Sequence, residues 1–76
     1  MNILDNIVKQ LRVNRGLTQE ELAKELDVSR HTIISIENGG NTTGRMVLKI
    51  ANYFGKDPRE IFFTTNGVQS LQKRLA

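Results

Sequence analysis

Apolar residues recur at intervals of three and four along much of this chain, a pattern typical of amphipathic helices. The first such segment covers about residues 3–13. The densest apolar stripe, which includes Leu48, falls within residues 45–54. Combined with the helix start and stop signals between these segments, the pattern predicts an all-α fold of five helices.

The second and third predicted helices are joined by a short turn and have clear start signals. Thr18 followed by Glu21 forms a capping box, in which each side chain satisfies a backbone N–H of the first turn, so the helix begins at Gln19. Ser29 supplies an N-cap oxygen for the next helix. The spacing therefore predicts a pair of helices connected by a tight turn over residues 17–39.

The fourth and fifth predicted helices begin with equally local signals. Thr43 is an N-cap residue ahead of a helix over residues 45–54. Asp57 is a second N-cap residue, and Pro58 after it suits the first helical position. A short fifth helix should therefore extend through Phe62.

The third predicted helix has two different faces on a period of 3.6 residues. Ile33, Ile36 and Glu37 share one face, and His31 and Ser35 point the opposite way. The outward face is short, polar and rich in hydrogen-bonding groups. Side chains near the N-terminus of such a helix can reach base edges in the major groove of DNA. The pattern therefore predicts a DNA-reading helix.

The motifs behind this prediction also resemble those of a known family. They are Gly16-Leu17-Thr18-Gln19, Glu21-Leu22-Ala23, Val28-Ser29-Arg30, Ile33 and Ile36-Glu37-Asn38-Gly39. Over about residues 6–62 the chain resembles the Cro/phage-repressor (XRE-type) helix-turn-helix family. The resemblance implies a compact five-helix, repressor-like DNA-binding domain in which helices 2 and 3 form the helix-turn-helix.

Five residues of the third helix are the candidate base readers. Arginine can donate two hydrogen bonds to guanine and a histidine nitrogen can donate to a purine acceptor, so Arg30 and His31 are the strongest candidates. Hydroxyl groups discriminate less, and Thr32 and Ser35 either read bases or simply touch phosphate. Ile34 either meets a thymine methyl group or packs at the edge of the core.

Phosphate contacts are expected on both sides of this helix. Thr18 and Gln19 lie at a helix N-terminus, where free N–H groups and the helix dipole favour an anion, and the resemblance implies the same role. The resemblance also implies phosphate contacts by Asn38, Thr43 and Arg45, to which Arg45 adds its charge. For Thr43, capping alone is an equal alternative.

Five other positions take their interpretation from the family pattern. The resemblance implies a largely buried ion pair between Arg12 and Glu37 that joins the first helix to the end of the third. Asp27 stands where relatives usually have glycine, but aspartate tolerates a left-handed backbone better than most residues, so we expect the turn to form. Thr42 and Gly44 replace a common proline and a common apolar residue, which suggests a looser loop before the fourth helix.

The composition narrows the classes of protein to consider. The 76 residues include no cysteine, which excludes disulfides and thiolate metal sites, and the formal net charge is +3. This surplus, with a sequence pI of 9.7, suits a negatively charged partner only weakly. His31 is the only histidine and no base is paired with a serine, so we expect no enzyme, no cofactor and no metal.

No apolar run approaches the roughly 20 residues of a membrane span, and the N-terminus lacks a signal-peptide pattern. We therefore expect a cytoplasmic protein without a membrane partner.

One DNA-binding domain is predicted over residues 1–63, followed by a tail over residues 64–76. The tail fits a short helix, a mobile end or a hairpin at Asn66-Gly67, and its apolar residues would also suit a dimer interface. The predicted function is a sequence-specific transcriptional regulator of double-stranded DNA, a repressor acting as a homodimer on a near-palindromic operator. The alternative is an antitoxin-like or adaptor protein that engages another protein through the tail and the Phe62-Phe63 surface.

Overall fold

Five helices and one pair of short strands make up the fold. The computed structural model describes residues 4–64 of the chain. The elements in order are β1 (Leu4–Asn6), α1 (Val8–Asn14), α2 (Gln19–Leu26), α3 (Arg30–Glu37), α4 (Gly44–Phe54), α5 (Pro58–Ile61) and β2 (Phe62–Thr64). The predicted architecture of five helices is confirmed. Within residues 4–64, no helix has the length and apolar character needed to cross a membrane.

The predicted capping residues precede α2, α3 and α4, and α4 begins at Gly44, one residue before the predicted start. The Thr18 hydroxyl accepts a hydrogen bond from Glu21 N at 3.0 Å, and the Glu21 carboxylate accepts one from Thr18 N at 2.8 Å. Ser29 and Thr43 each accept a hydrogen bond from the backbone N–H three residues further on. Because each cap satisfies a donor that the first turn leaves free, these starts depend on short-range sequence.

The first helix begins later than the apolar spacing predicts. The predicted helix covered residues 3–13, whereas α1 begins at Val8 and residues 4–6 form β1. The Asn6 side-chain oxygen accepts a hydrogen bond from Val8 N at 3.1 Å, and Ile7 has a φ of −113°, outside the helical range. Pairing with β2 satisfies backbone groups of β1 that a longer helix would have satisfied internally. The predicted start of this helix is therefore wrong.

The second strand follows α5 directly and pairs antiparallel with β1. Beside this pair, Ile7 N donates to Ile61 O at 3.0 Å. Consequently α5 ends at Ile61 and Phe62 is extended. The predicted fifth helix included Phe62, so its predicted end is one residue too late. The alternatives for the tail fall on residues 65–76, which lie outside the described residues.

The buried apolar side chains form one cluster to which every helix contributes. They are Val8, Leu22, Ala23, Leu26, Ile33, Ile36, Met46, Ile50, Ala51, Phe54, Ile61 and Phe62. Leu48, which the sequence pattern placed in the apolar stripe of α4, is instead 57% exposed. It lies two residues from both Met46 and Ile50, or about 200° around the helix, and so faces away from the core.

Candidate nucleic-acid interface

A left-handed turn brings α3 across α2. Asp27 has φ 58° and ψ 48° and is the only non-glycine residue with positive φ among those described. Val28 N donates to Ala23 O at 2.9 Å and Asp27 N to Lys24 O at 3.2 Å, which is the Schellman pattern of a helix end. The expectation that aspartate supports this turn is confirmed.

The third helix buries one face and presents the other to solvent. Ile33 and Ile36 are buried, whereas Arg30 and His31 are exposed in the first turn. Ser35 lies one turn after His31 and is half-buried. The structure therefore places the two strongest base-reading candidates side by side on an open surface.

Thr32 and Ile34 lie on the flanks of α3, and both are half-buried. The Thr32 hydroxyl is 2.9 Å from Ser29 Oγ, which also accepts a hydrogen bond from Thr32 N at 3.1 Å. Thr32 is therefore tied to the helix cap. The partial burial of Ile34 fits either use that the sequence left open, at the edge of the core or against a thymine methyl group.

A hydrogen-bonded ion pair joins α1 to the last turn of α3. Arg12 Nε lies 2.6 Å from Glu37 Oε2, and the two side chains are 10% and 3% exposed. Arg12 Nη2 also donates to Glu37 Oε1 at 3.3 Å, and Arg12 Nη1 donates to Leu17 O at 2.7 Å. Gln19 Nε2 donates to Glu37 Oε1 at 3.1 Å. The same carboxylate thus fixes the end of α3 and orients Gln19, a candidate phosphate ligand.

The other phosphate candidates are exposed at three helix ends. Thr18 caps α2 through its hydroxyl oxygen and is exposed at the start of that helix. Asn38 is exposed at the C-terminal end of α3. Thr43 and Arg45 are exposed at the start of α4. These groups lie on both sides of α3 in the sequence.

A groove of about 290 Å³ lies between α3 and the loop that leads into α4. We call it the α3–α4 groove. Its lining residues are His31, Thr32, Ser35, Ile36, Asn41, Thr42, Thr43 and Met46. It therefore brings three candidate base readers together with one phosphate candidate.

Gly40 allows this loop to approach α3 closely. Gly40 N donates to Ser35 O at 2.8 Å, and Gly39 before it has a left-handed φ of 82°. A Cβ atom at Gly40 would collide with Ser35 Oγ and lie 2.8 Å from Ser35 O. The loop is thus anchored to the polar side of α3 at a position where only glycine fits.

A model of the helix-turn-helix family matches residues 8–61. The chain belongs to the XRE-type helix-turn-helix family. This confirms the resemblance on which part of the sequence analysis rests. The names of the family and of its relatives describe helix-turn-helix transcriptional regulators and not enzymes, in agreement with the sequence prediction.

Several proteins resemble this XRE-type chain over most of its length. An uncharacterized HTH-type transcriptional regulator of Methanocaldococcus jannaschii is 45% identical over 60 residues, which are 78% of this chain and 91% of the relative. YgzD, an uncharacterized HTH-type transcriptional regulator of Bacillus subtilis, is 33% identical over 61 residues, 79% and 92% of the two chains.

Two crystal structures share the fold of the XRE-type chain. A protein of Bacteroides fragilis described as DNA-binding has a TM-score of 0.68 at 22% identity and covers 80% of this chain and 100% of its own. The transcriptional regulator VanUg has a TM-score of 0.69 at 20% identity, with 83% and 85% coverage.

Sequence reasoning missed Asn6, which links the strand pair of this XRE-type domain to α3. Its Nδ2 donates to Ile36 O at 2.8 Å, a carbonyl in the last turn of α3 that also accepts from Gly39 N. The available signal was an asparagine directly before an apolar run, since its side chain caps backbone N–H groups well. Met46 was missed as a groove residue because a buried methionine gives no signal of its own.

The perturbed acids of the XRE-type domain belong to helix caps and not to the exposed face of α3. The hydrogen bond from the Thr18 backbone, followed by that from its side chain, lowers the pKa of Glu21 below its ordinary value. Arg59 lowers the pKa of Asp57, first through its side chain and then through its backbone N–H. Within residues 4–64, no group of three or more histidine, aspartate or glutamate side chains is arranged to hold a metal ion.

Proposed function

We propose that the protein is a sequence-specific transcriptional regulator that reads the major groove of double-stranded DNA with α3. The observation that carries this proposal is the exposed first turn of α3, where Arg30 and His31 stand above the buried anchors Ile33 and Ile36. A helix seated in this way can enter the groove without disturbing the core. Arg30 suits a guanine, and His31 suits a purine acceptor.

Phosphate contacts would set the register of α3 on the duplex. Gln19 is already oriented by Glu37, and Thr18 is exposed beside it at the start of α2. Thr43 and Arg45 would contact phosphates on the other side of α3, where the start of α4 adds backbone N–H groups. Such contacts provide affinity and position, while α3 provides the base selectivity.

We further propose that two copies act together as a repressor on a near-palindromic operator. One small module makes few base contacts and would compete poorly with non-specific binding. Two copies would place their recognition helices about one DNA turn apart, roughly 34 Å. Occupation of a site near a promoter would then exclude the polymerase.

Selection of bound sequences from random duplexes tests the proposal directly. We expect two half-sites in inverted orientation, separated by about one helical turn. Arg30→Ala should weaken binding by about 1–3 kcal/mol and relax selectivity at particular base pairs. Arg59→Ala is the matched control, since this arginine is also exposed but lies on α5. Equal effects of the two variants would show that α3 is not the reading helix.

Arg45→Ala should act differently because this residue is assigned to phosphate. We expect weaker binding to every sequence. The slope of the logarithm of affinity against the logarithm of salt concentration should fall in magnitude by about one. Binding would be measured by fluorescence anisotropy over a series of salt concentrations. A change in base preference would contradict the assignment.

The alternative function, docking of another protein through the tail and the Phe62-Phe63 surface, has less support. Phe62 is only 9% exposed and belongs to the core. Its aromatic ring is therefore largely withdrawn from that surface. Failure of the full chain to select any duplex would favour this alternative over the proposed function.

A further inference from the structure

We infer that the α3–α4 groove receives the 5-methyl group of a thymine in the bound operator, an inference that rests on the proposed function. The α3–α4 groove would recognise a part of the base that the hydrogen bonds of Arg30 and His31 do not reach. It would distinguish thymine from cytosine by an apolar contact.

The two walls of the groove come from the two parts of the proposed interface. His31 and Ser35 line one wall and belong to the base-facing side of α3. Thr43 lines the other wall at the start of α4, where a phosphate is expected. A strand whose phosphate rests on α4 and whose base edge meets α3 must pass over the groove. In the major groove, the 5-methyl group projects from the side of the pyrimidine that is nearer to its own backbone.

The apolar part of the lining makes the choice of occupant specific. Ile36 and Met46 line the groove and are 2% and 9% exposed. A polar base atom placed against them would lose water without gaining a hydrogen-bond partner, whereas a methyl group would gain apolar burial. Among the four bases, thymine alone presents an apolar group in the major groove. Methionine also adapts its shape readily to a small apolar group.

The competing position for such a methyl group is Ile34. This residue is half-buried on the flank of α3 and is not among the residues that line the groove. A methyl group held by Ile34 and one held by Met46 would therefore respond to different substitutions. The test must compare the two positions on the same DNA.

Thymine-to-deoxyuridine scanning of the selected operator, with the full chain, measures the methyl contact by itself. The replacement removes the methyl group and keeps every hydrogen-bonding group of the base. We expect one thymine in each half-site at which the replacement weakens binding by about fourfold. This is the change in affinity that corresponds to the free energy of burying one methyl-sized group. Met46→Leu, which conserves side-chain volume and should preserve the fold, is expected to reduce this penalty. Ile34→Ala should leave the penalty unchanged.

Two results would overturn the inference while leaving the proposed function intact. One is sequence-selective binding, sensitive to Arg30→Ala, without a deoxyuridine penalty at any thymine. The other is a penalty that persists unchanged in Met46→Leu; if it also disappears in Ile34→Ala, the methyl group lies on Ile34 instead. Loss of sequence selectivity in the unmodified chain would instead reject the proposed function and this inference with it.

Discussion

Glu37→Gln should remove a large part of the stability of this small domain. The substitution keeps the shape of the side chain but removes the negative charge 2.6 Å from the Arg12 guanidinium. Because the two side chains are 3% and 10% exposed, water has little access to replace the lost interaction. Leaving one charge of a buried pair without its partner costs about 3–5 kcal/mol. A chain of 76 residues has a total stability of about 4–11 kcal/mol.

The remaining contacts of Arg12 set where in this range the loss should fall. Its Nη1 donates to Leu17 O at 2.7 Å, and the substitution leaves this acceptor in place, so we expect a loss near the lower end, about 3 kcal/mol. Removing both charges, with Arg12→Met and Glu37→Leu together, should restore most of the stability because no charge is left buried alone. A small deficit should remain, since Leu17 O and Gln19 Nε2 each lose a partner.

Urea unfolding followed by far-ultraviolet circular dichroism measures these differences. With a slope of about 1 kcal/mol per molar urea, Glu37→Gln should lower the midpoint by about 3 M. Arg59→Ala is the control, because Arg59 pairs with Asp57 at the surface with its side chain 92% exposed, and the midpoint should not move measurably. The reasoning is refuted if Glu37→Gln shifts the midpoint no more than this control, or if the double variant is less stable than Glu37→Gln.

Two further predictions concern the loop and a helix cap. Gly40→Ala should weaken DNA binding, because the added Cβ would push the loop away from Ser35. Gly44→Ala is the control, since a Cβ there meets no atom within 4 Å and the variant should bind as the unmodified chain does. Equal affinities of the two variants in an anisotropy titration would contradict this prediction. Glu21→Gln should destabilise the protein at neutral pH, because the folded state lowers the pKa of Glu21 and so favours its charged form. That stabilisation is present above the ordinary glutamate pKa of about 4.3 and is lost as the pH falls through the lower folded value, so the thermal midpoints of the two proteins should converge on acidification. A pH-independent gap would show that the Glu21 charge is not involved.

Local rules made much of the site predictable. Thr18 and Ser29 cap backbone groups within three residues, so the starts of α2 and α3 could be read directly from the sequence. The outward position of His31 followed from helical periodicity once Ile33 and Ile36 were assigned to the core. Family resemblance added the Arg12 and Glu37 partnership, which no local pattern indicates.

The sequence by itself determined the elements whose cause lies within a few residues. These are the presence of five helices, the side-chain caps of α2 to α5 and the exposed side of α3. Tertiary structure alone decided the interactions between distant segments. The apolar spacing of residues 3–13 suits a helix, but β1 instead pairs with β2, with Leu4 opposite Thr64. The α3–α4 groove likewise lies between α3 and a distant loop, which Gly40 allows to approach Ser35. Such contacts depend on how the packed elements meet, and periodicity within one segment carries no information about a partner elsewhere in the chain.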